Sequence, residues 1–132
     1  MTLRWFLLAL LILACWVAQE VFAAPHTGIA SFYGLETCRY NRDPQCPTAS
    51  GRSLYDLVAN YEPYCASWGY KFGTKLRLTN LVNGREAGCV VWDRGPHQKL
   101  NRIVDLSPLV FAQLADLEYG VITVRVDMEA LP

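Results

Sequence analysis

The chain has 132 residues, 52% of them hydrophobic, and 12 Lys/Arg balance 12 Asp/Glu to give no formal net charge. One domain is the expectation for that length. Without a cationic excess, nothing points to a nucleic-acid partner or a polybasic membrane patch.

The apolar content is concentrated at the N-terminus. Met1-Thr2-Leu3-Arg4 bears a positive charge, Trp5 to Ala18 is an apolar run, and Val21 and Ala23 sit where a signal peptidase reads small residues. This layout predicts a cleavable secretory signal peptide over 1–23, then a short linker over 24–27. The run is shorter than the ~20 apolar residues of a spanning helix, and no later stretch is long and apolar enough to span. The expected location is periplasmic or extracellular. Leu11-Ile12-Leu13-Ala14-Cys15 also resembles a bacterial lipobox, which would anchor the protein through a lipidated Cys15. The segment that would follow, 16–25, is too apolar for a typical tether. Cleavage after Ala23 removes Arg4 and Glu20 together, so the mature chain stays neutral.

Cleavage also removes Cys15 and leaves Cys38, Cys46, Cys65 and Cys89. An even count in an exported domain implies disulfides, and four cysteines allow three connectivities. The favoured one is Cys38–Cys46, closing a polar loop, with Cys65–Cys89. A zinc site is the weaker alternative, because there is no CxxC pair and His26 and His97 are far from the cysteines in sequence. No metal or other cofactor is expected.

In chain order, 28–34 (Gly-Ile-Ala-Ser-Phe-Tyr-Gly) is a first strand, and 35–47 is a turn-rich loop with a turn at Asn41-Arg42-Asp43-Pro44. Thr48-Ala49-Ser50-Gly51 forms a tight turn, and 53–59 carries no clear signal. The aromatic-rich stretch 61–72 suits either sugar stacking or a small β core. Alternation over 75–81 and 85–92 around Asn83-Gly84 predicts a hairpin with a type I′ turn. Ser107-Pro108 opens a helix over about 107–118, with Leu109, Phe111, Leu114, Ala115 and Leu117 as its apolar content and Gly120 as its stop. A last strand over 121–128 turns Ile122, Val124, Val126 and Met128 one way. Four to six short strands and one helix argue for a small closed β-barrel.

Two carboxylates stand where strands give way to turns. Asp93 ends the strand Cys89-Val90-Val91-Trp92 ahead of Arg94-Gly95-Pro96, and Asp105 ends Arg102-Ile103-Val104 ahead of Leu106-Ser107-Pro108. Loops at strand ends often carry sites. The two could share a cleft, or each could simply brace its own turn.

The motifs Gly28-x-Ala30-Ser31-x-Tyr33-Gly34, Thr48-Ala49-Ser50-Gly51, Phe72-Gly73-Thr74, Val82-Asn83-Gly84, Asp93-Arg94-Gly95-Pro96 and Asp105-Leu106-Ser107 occur in the order seen in the rare lipoprotein A (RlpA-like) domain. The chain resembles that family from Gly28 to about Val126, within a domain placed at 28–129. The resemblance implies a mainly β fold, a six-stranded double-psi β-barrel related to expansin and barwin-type barrels. It implies cleavage of the MurNAc–GlcNAc β-1,4 bond of peptidoglycan without water, leaving 1,6-anhydro ends, on glycan strands preferably free of stem peptides. By the same resemblance Asp105 or Asp93 is the general acid/base, and Ser31 and Tyr33 contact substrate. Arg94 and His97, in and just after the Asp-Arg-Gly-Pro turn, complete the candidate contacts. The expected partner is the glycan strand, and a monomer is expected.

Departures from the family pattern bear on catalysis. Arg52 stands where relatives carry Glu, Ser67 falls near the place of a family His, Asp56 is one position off a family Asp, and the 35–47 loop is long. A non-catalytic, expansin-like glycan-binding or wall-loosening module, or a barwin-like secreted protein, is therefore the competing expectation.

Overall fold

Alternation along the strands builds the barrel. In the computed structural model, which describes residues 24–129, six strands form: β1 (His26–Phe32), β2 (Tyr64–Ala66), β3 (Lys75–Asn80), β4 (Glu86–Asp93), β5 (Arg102–Leu106) and β6 (Ile122–Met128). The predicted signal peptide and the lipidation alternative at Cys15 lie outside the described residues. Leu76 and Leu78 of β3, Cys89 and Val91 of β4, and Val124 and Val126 of β6 are buried in one cluster, while Lys75, Arg77 and Arg125 face out. Sides that alternate with a period of two fix which face of each strand is core.

The strands close in the order β1-β5-β2-β4-β3-β6. β1/β5 and β2/β4 pair in parallel, and the other neighbours are antiparallel. Closure leaves no open sheet edge. The mixed, closed six-stranded barrel is the one expected, and both expected disulfides form: Cys38–Cys46 and Cys65–Cys89, with Cα–Cα distances of 5.5 and 5.8 Å.

Two α-helices form among the described residues. α1 (Leu54–Ala59) lies in the stretch 53–59 that carries no clear sequence signal; Ser53 caps it by accepting from Asp56 N–H at 3.4 Å. Leu54 and Leu57 bury against Cys38, Cys46 and Tyr64 in a second cluster outside the barrel. α2 (Pro108–Leu114) begins as predicted, with Ser107 as N-cap accepting from Val110 N–H. It stops earlier than expected. Ala115 is extended, and a separate 3-10 turn, Leu117–Tyr119, runs to Gly120 at φ 67°. Its buried face is Val110, Phe111 and Leu114, whereas Leu109 and Leu117 are exposed.

One pair of hydrogen bonds joins the end of this short helix to the β3–β4 connection. The free carbonyl of Leu114 accepts from Asn80 Nδ2 at 3.0 Å and from Asn83 Nδ2 at 2.9 Å. These bonds satisfy a helix end that would otherwise lack a partner. They also shape the β3–β4 connection. The hairpin forms, but not through a type I′ turn: Asn80 and Arg85 still pair, 81–84 make the loop, and of its residues Gly84 alone has a positive φ.

Candidate functional site

Pairing across four neighbouring strands places Ser31, Asp105, Ala66 and Asp93 in one row. Ser31 is the register partner of Asp105, Asp105 of Ala66, and Ala66 of Asp93. Two strand spacings separate the aspartates, so their Cα atoms lie about 9–10 Å apart. Ala66, which stands between them in the row, is buried.

A β-bulge turns Asp93 outward. Val91 pairs with Cys65 and Asp93 with Ala66, so Trp92 is the extra residue. Strict alternation after Cys89 and Val91 would have carried Asp93 into the core. The bulge shifts the phase, which is how bulges re-aim side chains next to sites. Trp92 packs on the outer cluster instead. Asp105 needs no such device, because its neighbours Val104 and Leu106 are both core residues.

The two carboxylates are held differently. Asp93 is an acceptor hub: Oδ1 receives Ala49 N–H and Arg94 N–H, and Oδ2 receives the Tyr33 hydroxyl, each at 2.8 Å. It thereby ties the Thr48–Gly51 turn to β4. Asp105 receives one bond among the described residues, from Ser31 Oγ at 2.8 Å. Burial pushes its carboxyl above the usual carboxylate range. The Ser31 bond and the Arg102 charge oppose that shift, and the charges of Asp93 and Glu36 add to it. A half-buried carboxyl with a raised pKa and few bonds is suited to hold and release a proton.

Tyr33 joins the two halves of the row. Its phenol is pushed far upward, first by burial and then by Asp93, so it stays protonated and donates. Its ring meets Tyr64 edge-on at 5.4 Å, and Tyr64 Oη donates to the Tyr33 carbonyl at 3.0 Å. The site thus unites Asp93, Asp105, Ser31 and Tyr33.

Arg94 and His97 are turned elsewhere. Arg94 Nη1 donates to the carbonyls of Ser67 and Tyr70, both at 2.8 Å, and the guanidinium lies 3.9 Å from the Phe72 ring centroid. It pins the 67–72 loop. His97 is exposed and caps a 3-10 turn through Nδ1, which accepts from Lys99 N–H at 3.3 Å. Arg52 pairs with Glu62 through two bonds, at 2.9 and 2.6 Å, and covers the Trp92 ring. Ser67 is buried and bonds the Ile103 carbonyl, while Asp56 is exposed on the first turn of α1. Glu36 and Tyr64 were not expected at the site. The 35–47 loop brings Glu36 close enough to raise Asp105, and only the polarity of that loop hinted at it.

Asp93→Ala is expected to lower stability by about 2–3 kcal/mol, because two N–H groups and a hydroxyl lose a charged acceptor. Asp93→Asn should cost much less, since its amide oxygen can keep both N–H bonds. Urea unfolding of the two variants measures the difference, and equal losses would mean that Asp93 does not brace the turn.

Among the described residues no helix is long and apolar enough to cross a membrane, and no cluster of His, Cys, Asp and Glu could hold a metal ion. A closed six-stranded barrel with two parallel strand pairs in this order is a double-psi β-barrel. Searched against family models, the chain matches none. It is 36% identical over 102 residues to a probable endolytic peptidoglycan transglycosylase RlpA of a Nostoc species, covering 76% of this chain and 25% of the relative. It is 35% identical over 116 residues to the protein of the same name in Treponema pallidum, covering 84% of this chain and 33% of the relative. The apo expansin of Clavibacter michiganensis superposes with a TM-score of 0.61 at 20% identity, over 83% of this chain and 52% of that one. A mutant of that expansin, solved in complex with cellohexaose, superposes with a TM-score of 0.60 at 19% identity, again over 83% and 52%. Over this barrel the chain is similar in sequence to proteins named RlpA, and its fold is that of the expansin barrels. The chain spans a quarter to a third of the length of the curated relatives it matches.

Proposed function

We propose that this domain is exported and cleaves the β-1,4 bond between MurNAc and GlcNAc in peptidoglycan glycan strands, leaving 1,6-anhydro ends, with Asp105 as the acid/base. The observation that carries the reading is Asp105 itself: an outward carboxyl with a raised pKa, bonded by Ser31 and one residue across from Asp93. The names of the curated relatives and the glycan bound to the expansin mutant support the substrate class.

Protonated Asp105 gives its proton to the glycosidic oxygen as the bond from C1 to that oxygen breaks. The resulting carboxylate then takes the proton of the C6 hydroxyl as O6 bonds to C1. One group serves in turn as acid and base, and no water enters, unlike hydrolases with two dedicated carboxylates. Asp93, oriented by Tyr33, Ala49 and Arg94, supplies negative charge to the carbon where positive charge develops.

The test is digestion of glycan strands freed of stem peptides, with mass spectrometry of the ends. Anhydro-MurNAc ends are expected. Binding without any cleavage would favour the second reading, a non-catalytic expansin-like module. What favours that reading is the fate of two family positions: Arg52 is committed to Glu62, and Ser67 is buried in a backbone contact.

A further inference from the structure

The Thr48–Gly51 turn leans on the end of β4 through two N–H groups. Ala49 donates to Asp93 Oδ1 at 2.8 Å and Ser50 to the Trp92 carbonyl at 3.2 Å. The turn is closed at Arg52: Thr48 N–H and Oγ1 both donate to the Arg52 carbonyl, at 2.8 and 3.0 Å. Of the three bonds that Asp93 accepts, one comes from the next residue, Arg94, and one from Tyr33 just past β1. Only the Ala49 bond depends on where the turn sits.

The Arg52 side chain ties that turn to a third segment. Its Nη1 and Nη2 donate to Glu62 Oε2 and Oε1 at 2.9 and 2.6 Å, and the Glu62 carbonyl accepts Tyr64 N–H at 2.9 Å where β2 begins. A planar guanidinium on a carboxylate fixes direction as well as distance. The same guanidinium lies over the Trp92 ring, 4.7 Å from its centroid. Trp92 is the extra residue of the bulge that turns Asp93 outward, and its buried Nε1 has no hydrogen-bond partner among the described residues. The indole is therefore placed by packing and by this cation rather than by a hydrogen bond. The two side chains of the pair are 37% and 33% exposed. Exposed ion pairs stabilise little, so what this one chiefly supplies is geometry.

Resting on the proposed function for the role of Asp93, we infer that Arg52 and Glu62 are positioning residues for the reaction: by clamping the Trp92 ring and the Thr48–Gly51 turn, they hold Ala49 N–H on Asp93 and so aim its carboxylate. Among the described residues, neither side chain hydrogen-bonds to Ser31, Tyr33, Asp93 or Asp105. They act through the turn. Without the clamp the turn and the ring gain freedom together, the Ala49 bond opens more often, and Oδ1 keeps only Arg94 N–H. The Asp93 charge is then less well placed when positive charge develops on the sugar carbon. Because that charge exists only in the transition state, the loss falls on turnover and not on binding.

The test uses the purified protein with both disulfides formed. Arg52→Ala keeps the carbonyl that closes the turn and removes only the clamp. In amide exchange followed by NMR, Ala49 should exchange about 10-fold faster relative to the Leu78 amide of β3, which reports opening of the barrel as a whole. On stem-peptide-free glycan strands, kcat for anhydro ends should fall about 10-fold with KM within about twofold, short of the roughly 10²-fold that an ångström of misplacement costs. Glu62→Ala should do the same, and the double variant should lose no more than either alone, since the two act as one unit. A merely structural pair would move Ala49 and Leu78 together and leave kcat of the folded protein unchanged. That result, or losses that add in the double variant, would overturn the inference. If the wild type makes anhydro ends and Arg52→Ala makes them at the same rate, the positioning role falls and the cleavage reading stands. If the wild type makes none while Ala49 alone loosens in Arg52→Ala, the cleavage reading falls and the hold of the pair on Asp93 stands.

Discussion

Asp105→Asn should abolish formation of anhydro ends, a loss of about 10²–10⁴-fold, the usual contribution of positioned acid–base assistance. The amide can still accept the Ser31 hydrogen bond, so the row keeps its geometry and loses only the transferable proton. Stability should move the other way. Burial raises the folded pKa of Asp105 above its unfolded value. A group of that kind binds its proton more tightly in the folded state. Its stabilising contribution is present below the unfolded pKa and is lost as pH rises through the raised folded value. At neutral pH the wild type therefore carries the cost of a half-buried carboxylate, and Asp105→Asn does not. The variant should melt at the same temperature as the wild type or higher near neutrality, and the gap should shrink in acid. Thermal unfolding at the two pH values checks the sign. A variant that is both inactive and less stable at neutral pH would mean that Asp105 holds the fold and that its loss of activity is indirect. The wild-type rate should also decline as pH rises through the raised value, because the acid form is consumed.

The second large effect concerns the disulfides. Cys65–Cys89 joins β2 to β4 inside the barrel core and spans 24 residues, whereas Cys38–Cys46 spans 8 and lies in the outer cluster. On the chain-entropy account, removing the first costs about 3.5 kcal/mol and the second about 2.5 kcal/mol, through the loop that each closes in the unfolded chain. Paired Cys→Ala variants measured by urea unfolding should fall in that order. The functional order should be reversed. Loss of Cys38–Cys46 frees the loop that carries Glu36 and Leu35, while loss of Cys65–Cys89 leaves the outer loop clipped. Reversal of the stability order would mean that strain or packing, rather than loop closure, decides their worth.

Much of the barrel is legible in the chain because period-two alternation is a local signal. Leu76, Leu78, Val124 and Val126 announce their faces within a few residues. The cysteine pairing was legible through the polar loop between Cys38 and Cys46. What stayed hidden depends on partners far away in sequence. The phase shift at Trp92 exists only in the pairing of β4 with β2, so the sequence could mark Asp93 at a strand end but not the bulge that turns it outward. The end of α2 is set by Asn80 and Asn83 capturing the Leu114 carbonyl across more than thirty positions, which also replaced the type I′ turn that Asn83-Gly84 favours locally. Arg94 is expected to contact substrate from its place in the Asp-Arg-Gly-Pro turn, yet its Nη1 donates to the Ser67 and Tyr70 carbonyls. α1 was unreadable because six residues with apolar positions 54, 57 and 58 make too short a window for periodicity.

The central claim, that Asp105 cuts the glycan without water, is tested most directly by digesting stem-peptide-free glycan strands in water enriched in heavy oxygen, with wild type and Asp105→Asn side by side. The account predicts new MurNAc ends that are anhydro, carry no heavy oxygen and are missing from the variant digest. Heavy oxygen in the new ends, or equal cleavage by Asp105→Asn, would contradict it.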